Sequence, residues 1–103
     1  MLINLKDKVA IVTGAAQGIG KTIAQELANE GVCLALWDND EKRLAETAKE
    51  LDASYGNVCA CKCDVSSEEE VGSALAKTLD RFGTIDILVA NAGIANPTKF
   101  LDI

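Results

Sequence analysis

Histidine is missing from all 103 residues of the chain. Its absence removes the Ser-His-Asp triad, the Cys-His pair and imidazole-ligated zinc from the chemistry available here. Positive charge is also scarce: 10 Lys and Arg stand against 16 Asp and Glu, a formal net charge of −6. A nucleic-acid partner, which needs clustered Lys and Arg, is therefore not expected. No apolar run approaches the ~20 residues of a membrane span, so no membrane association is expected. Residues 1–8 lack the basic start and long apolar stretch of a secretory signal. The four cysteines accordingly read as reduced thiols of a cytoplasmic protein.

What remains is an ordinary globular composition, 49% apolar and 25% charged, in a chain long enough for at most one domain. A chain of this size can bury roughly 65% of its unfolded surface, so a core is possible. The pattern alternates strand and helix. Residues 9–13 form a short, nearly continuous apolar run, which suits a strand buried on both faces. A glycine-rich turn follows, from Gly14 to Gly20. A helix then reads to about Glu30, where Gly31 stops it, with Ile19, Ile23 and Leu27 at four-residue spacing and Ala24 and Ala28 beside them.

Residues 32–37 form a second strand ending at Asp38. The second helix is opened by Asn39 or Asp40 and has Leu44, Ala48 and Leu51 on its inner face. Residues 58–63 form a third strand. Ser67 caps the third helix and Glu70 completes a capping box; Val71, Leu75, Leu79 and Phe82 share its inner face up to Gly83. Residues 85–90 form the fourth strand. This alternation means βαβ units, a parallel sheet and right-handed crossovers.

In such sheets ligands bind beyond the carboxyl ends of the strands. The stretch Thr13-Gly14-Ala15-Ala16-Gln17-Gly18-Ile19-Gly20 lies there. Its glycines permit a sharp turn and a close approach to a pyrophosphate, whose charge meets the free amides of a helix N-terminus. A plain tight turn is the competing explanation, and the spacing is not the generic G-x-G-x-x-G. Asp38 ends the second strand eighteen residues after Gly20, close to the ~20 expected of the acid that holds an adenosine ribose. Its carboxylate can accept from both ribose hydroxyls and repels a 2′-phosphate, which favours NAD over NADP. Helix capping is its alternative role. Asp64 and Val65 follow the third strand, where they can grip and cover an adenine, or cap the third helix. Asn91, Ala92 and Gly93 follow the fourth. Their small residues allow close approach of a cofactor, and the Asn91 amide can tie neighbouring strand ends together.

Taken in this order and spacing, Thr13-Gly14-x-x-x-Gly18-x-Gly20, Asp38, Asp64-Val65 and Asn91-Ala92-Gly93 resemble the amino-terminal half of a short-chain dehydrogenase/reductase. Leu5-Lys6-Asp7-Lys8-Val9-Ala10-Ile11-Val12 looks like that family's opening. Ala90 departs from it, since many members carry a second Asn there. The resemblance implies a Rossmann-type α/β sheet of strand order 3-2-1-4, with helices on both faces. Its cofactor contacts would be Gly14, Gln17, Gly18, Ile19 and Gly20 at the pyrophosphate, Asp38 at the ribose, Asp64 and Val65 at adenine, and Asn91, Ala92 and Gly93 near the nicotinamide ribose. The implied reaction is hydride transfer between NAD(H) and a small alcohol or carbonyl substrate, commonly in a homodimer or tetramer.

Family members move the substrate proton with a Tyr, assisted by a Lys four residues later and by a Ser. Tyr55 is the single tyrosine, and Cys59 stands four residues after it. Residues 1–103 are thus expected to be part of one dinucleotide-binding domain, inactive alone, with residues 87–90 left as an apolar edge.

Two other readings remain open. Residues 15–22 nearly match a P-loop, with Lys21 for the phosphates and Thr22 for a metal, and a non-catalytic NAD-binding module would fit the chain as it stands. Cys59, Cys61 and Cys63 alternate along one strand face; small buried side chains are expected there rather than a metal site, whose usual spacing is C-x₂-C. Trp37 is expected in the core.

Overall fold

The computed structural model describes residues 4–91. Its elements run β1 (Val9–Thr13), α1 (Gly18–Asn29), β2 (Cys33–Asp38), α2 (Glu41–Tyr55), β3 (Val58–Lys62), α3 (Glu68–Phe82) and β4 (Ile87–Val89). The strands form one four-stranded sheet in the order β3-β2-β1-β4, and every pairing is parallel.

The apolar runs pack as two-sided strands. Ala10, Val12, Leu34, Leu36 and Val58 point to one face, where Ala24 and Ala28 of α1 and Leu44 and Leu51 of α2 cover them. Ile11, Ala35, Trp37 and Cys61 point to the other face, against Val71 and Ala74 of α3. Two helices on one face and one on the other follow from the strand order. The chain steps outward from β1 to β2 to β3, then crosses under the sheet through α3 to reach the far side of β1. The connection direction therefore reverses between β1 and β4, and in parallel sheets such a switch point, at the carboxyl ends of the strands, is where ligands bind.

Three helix ends have a clear local cause. Asp40 caps α2, its carboxylate accepting from the Arg43 N–H at 3.1 Å. Ser67 caps α3, accepting from the Glu70 N–H at 3.2 Å, and Gly83 closes that helix in the left-handed conformation at φ 80°. The box expected around Ser67 does not close on itself. The Glu70 carboxylate accepts instead from the Asp64 N–H at 3.1 Å, because the chain turns so that the Ser67 N–H donates to the Asp64 carbonyl at 2.9 Å.

Several expected positions shift. Ile19 and Leu79 are 72% and 45% exposed; the buried stripes run instead through Gly20, Ala24 and Ala28 in α1 and through Val71, Ala74 and Thr78 in α3. Small residues take these places because the helices lie close on the sheet. Thr78 is tolerated there because its hydroxyl accepts from Trp37 Nε1 at 3.3 Å and donates to the Ala74 carbonyl at 2.8 Å. Trp37 is fully buried, as its place in β2 implied. Tyr55 is the last residue of α2.

The outer strands are shorter than the apolar pattern suggested. β3 ends at Lys62 and β4 spans Ile87 to Val89, since each pairs with a single neighbour. Among the described residues β4 forms one edge of the sheet, with Ile87, Leu88 and Val89 half-buried.

Candidate cofactor site

Beyond the carboxyl end of β1 the chain turns through two glycines in the left-handed region. Gly14 and Gly18 adopt φ of 65° and 61°, a region that side chains with a Cβ rarely enter. Gly20 answers a different demand. A Cβ there would lie 2.0 Å from the Gly14 carbonyl oxygen and 2.7 Å from the Asn91 amide nitrogen, so the first turn of α1 sits directly on the loop. At Gly18, among the described residues and apart from its chain neighbours and its own helix backbone, nothing lies within 4 Å of such a Cβ. The space above Gly18 is open, and the side chains of Gln17 and Ile19 flank it in solvent. Gln17 occupies the N-cap of α1 without a side-chain capping bond, so the first amides of this helix face outward uncapped.

Four contacts fasten the loop to its surroundings. The Ala15 N–H donates to the Trp37 carbonyl at 3.4 Å. The Ala16 N–H donates to Asp38 Oδ2 at 3.0 Å. Thr47 Oγ1, buried in α2, donates to the Ala16 carbonyl at 3.1 Å. Asn91 Nδ2 donates to the Gly14 carbonyl at 3.4 Å. Asn91 is itself tied to β1, its N–H donating to Thr13 Oγ1 at 2.9 Å. Asn91 thus joins the ends of β4 and β1.

Asp38 is half-buried at the end of β2. Its Oδ2 takes the loop amide, and its Oδ1 accepts from the Asp40 N–H at 2.8 Å. It caps no helix; Asp40 does that. A carboxylate offers about four lone-pair sites, so two bonds leave capacity for a ligand hydroxyl on each oxygen. Asp64 and Val65 lie further along the same edge, where the Cys63 N–H donates to the Asp38 carbonyl at 3.0 Å. The Asp64 carboxylate accepts from the Ser66 hydroxyl at 2.6 Å and from its N–H at 2.9 Å, and these bonds hold its pKa below the ordinary carboxylate value. Val65 leans on the α3-side core and remains half-exposed. Ala92 and Gly93 lie outside the described residues.

Two contacts matter to this geometry without having been signalled in the sequence. Thr47 follows Leu44 by one helical turn and passes for a core position; nothing local announces its bond to residue 16. The second carboxylate bond of Asp38, to the loop rather than to a ligand, is equally hidden. The remaining candidates separate from the site. Lys21 pairs with Glu50 of α2 at 3.4 Å, and Thr22 Oγ1 donates to the Gly18 carbonyl at 3.3 Å, so neither side chain is arranged as a P-loop would use it. Tyr55 ends α2 just before β3 begins, at the amino edge of the sheet, away from the glycine loop. Cys61 and Cys63 are buried against α3. Burial pushes the Cys63 thiol up to about 11, and a hydrogen bond from Cys59 draws Cys61 downward.

A glycine loop under an uncapped helix start, a carboxylate closing the next strand and an Asn across the switch point define a dinucleotide-binding α/β fold. The family model described as short chain dehydrogenase matches residues 8–103, and the chain belongs to that family. An uncharacterized oxidoreductase of Staphylococcus saprophyticus is 49% identical over 94 residues, which cover 90% of this chain and 40% of the relative. A diacetyl reductase of Staphylococcus epidermidis, described as (S)-acetoin forming, is 42% identical over 93% of this chain and 37% of its own. Among solved structures, L-sorbose reductase from Gluconobacter frateurii, complexed with NADPH and L-sorbose, superposes with a TM-score of 0.86 at 36% identity. That match covers 93% of this chain and 37% of the reductase. A short-chain dehydrogenase/reductase from Burkholderia phymatum in complex with NAD gives 0.81 at 34% identity, over 84% and 31% of the two chains. This chain therefore spans about two-fifths of the length of the curated relatives it matches.

Proposed function

We propose that the intact protein is a nicotinamide-dependent oxidoreductase and that residues 1–103 form the part of its dinucleotide-binding domain that holds the cofactor. The observation that carries this reading is the convergence of the glycine loop, Asp38 and Asn91 at the switch point between β1 and β4. The residues suit the group. Open space above Gly18 admits a pyrophosphate against the outward amides of α1, and Asp38 is within one residue-length of the loop through its bond to the Ala16 N–H.

In this reading Gly14, Gln17, Gly18, Ile19 and Gly20 receive the pyrophosphate. Asp38 accepts from the adenosine ribose hydroxyls, Asp64 and Val65 border the adenine, and Asn91, Ala92 and Gly93 lie near the nicotinamide ribose. When bound, the nicotinamide supplies hydride transfer. The chain's own residues bind and orient it, and the group that moves the substrate proton lies elsewhere in the protein, since Tyr55 faces the wrong edge.

The carboxylate of Asp38 supports NAD as the preferred form, because a 2′-phosphate brought to it meets like charge without a compensating Lys or Arg in the loop. The relatives' names support a small alcohol or carbonyl compound as substrate: one is a diacetyl reductase and another is bound to L-sorbose. Family likeness supports a homo-oligomer, and the four free cysteines support a reducing, cytoplasmic setting.

Titration of the intact protein with NADH and NADPH, followed by nicotinamide fluorescence, tests the assignment. Tighter binding of NADH is expected. Equal affinities would remove the ribose role from Asp38, and binding of neither would remove the cofactor reading altogether.

A further inference from the structure

Thr47 is 2% exposed and lies on α2, outside every motif that points to the cofactor. Its hydroxyl donates to the Ala16 carbonyl at 3.1 Å, while the N–H of the same residue is held by Asp38 Oδ2 at 3.0 Å. Ala16 is thus gripped on both its backbone groups, by side chains from two different elements. The consequence follows from peptide geometry. In a planar trans peptide the carbonyl of one residue and the N–H of the next point in opposite directions. Drawing the Ala16 carbonyl toward α2 turns the Gln17 N–H away from α2, outward beside the open space over Gly18.

We propose that Thr47 is a positioning residue: by anchoring the Ala16 carbonyl it aims the Gln17 N–H at the pyrophosphate. This rests on the cofactor reading above and adds a residue to it. Asp38 has the complementary effect on the preceding peptide. Its carboxylate occupies the Ala16 N–H, so that group is not a phosphate donor, and the donor series begins at Gln17. Without the Thr47 hydroxyl the Ala16 carbonyl is a buried acceptor with no partner, and the 16–17 peptide gains by rotating toward water. Rotation carries the Gln17 N–H off its line.

The test compares Thr47→Val, which keeps the shape and removes the donor, with Thr47→Ser, which keeps the donor. Both are made in the intact protein, and binding of ADP, adenosine and NADH is measured. Thr47→Val is expected to bind ADP and NADH about five- to tenfold more weakly, the worth of roughly one net hydrogen bond. Adenosine, which carries no phosphate, should bind unchanged, and Thr47→Ser should restore ADP affinity. An unaltered ADP affinity in Thr47→Val overturns the proposal, and so does an equal loss for adenosine and ADP, which marks general loosening of the loop. If Thr47→Val does not fold, the wild-type protein still decides. ADP but not adenosine should displace the Gln17 amide resonance in an ¹⁵N-correlated spectrum, and a stationary Gln17 signal at saturating ADP overturns the assignment. Wild-type protein that binds neither NADH nor ADP instead refutes the cofactor reading, and this inference with it.

Discussion

Replacing Gly20 with alanine offers the sharpest check on how the site is built. Two effects oppose each other. Gly20 lies within α1, where alanine is favoured over glycine by about 1 kcal/mol of helix propensity. The added Cβ, however, would sit 2.0 Å from the Gly14 carbonyl oxygen and 2.7 Å from both the Gly14 carbonyl carbon and Asn91 Nδ2. An ordinary contact is above ~3.4 Å, so the first turn of α1 must withdraw by more than an ångström. The obstacle is backbone, which cannot swing aside as a flexible side chain would.

Withdrawal pulls Gly14 from Asn91, stretching a bond already at 3.4 Å, and loosens the loop that Asp38 and Thr47 hold. Overpacking of this kind costs about 1–3 kcal/mol and sometimes more. With the backbone as the obstacle the upper part of that range applies, and after the propensity gain a net loss of about 2 kcal/mol is expected. Gly72 supplies the control: it also lies within a helix, but among the described residues nothing outside its own helix backbone and chain neighbours is within 4 Å of its Cβ position. Gly72→Ala should therefore be neutral or stabilising by up to about 1 kcal/mol. The assay is the urea midpoint of the intact protein for the two variants side by side. A Gly20→Ala midpoint equal to or above wild type would refute the close seating of α1 on the loop.

Asp38→Ala should weaken NADH binding by about tenfold or more, the worth of hydrogen bonds to a charged group, and NADPH binding less, because the barrier to a 2′-phosphate disappears with the carboxylate. Equal losses in fluorescence titration would reduce Asp38 to a brace for the Ala16 amide. Gly18→Val places a branched side chain in space that is open in the protein and imposes φ 61° on a β-branched residue; cofactor binding should vanish while circular dichroism still reports a folded protein, and retained affinity would move the pyrophosphate elsewhere. The Asp64 carboxyl is held below its ordinary 3.8 by Ser66. A carboxyl whose pKa is depressed on folding contributes stability above its unfolded pKa and loses it as pH falls through the folded value. Ser66→Ala, which removes the hydroxyl bond and keeps the backbone one, should accordingly raise the Asp64 pKa in a carbon-detected NMR titration, and a value that stays put would remove the Ser66 hydroxyl as its main cause.

Much of this arrangement can be read along the chain because its causes are local. Residues 9–12 are apolar without interruption and, with Thr13, become a strand buried on both faces. Ser67 precedes an acidic turn and caps α3, and Gly83 ends it. The spacing of Gly14, Gly18, Gly20, Asp38 and Asn91 places them after successive strands, and in a parallel sheet the ends of successive strands share one edge. The candidate site was therefore legible as a set of positions.

Which groups meet there was decided by packing. The Ala16 carbonyl finds Thr47 thirty-one residues away, and the Gly14 carbonyl finds Asn91 seventy-seven residues away; periodicity carries no information about such pairs. Ile19 and Leu79 fit the apolar spacing yet point to solvent, because helices seated close on the sheet fill their contact stripes with Gly20, Ala24, Ala28 and Thr78. The order of residues thus determined the elements, their sequence and the edge that gathers the candidate site. Only the folded chain determined that the glycine loop is clamped from α2, β2 and the end of β4, since a hydrogen bond depends on a separation of about 3 Å that no spacing along the chain encodes.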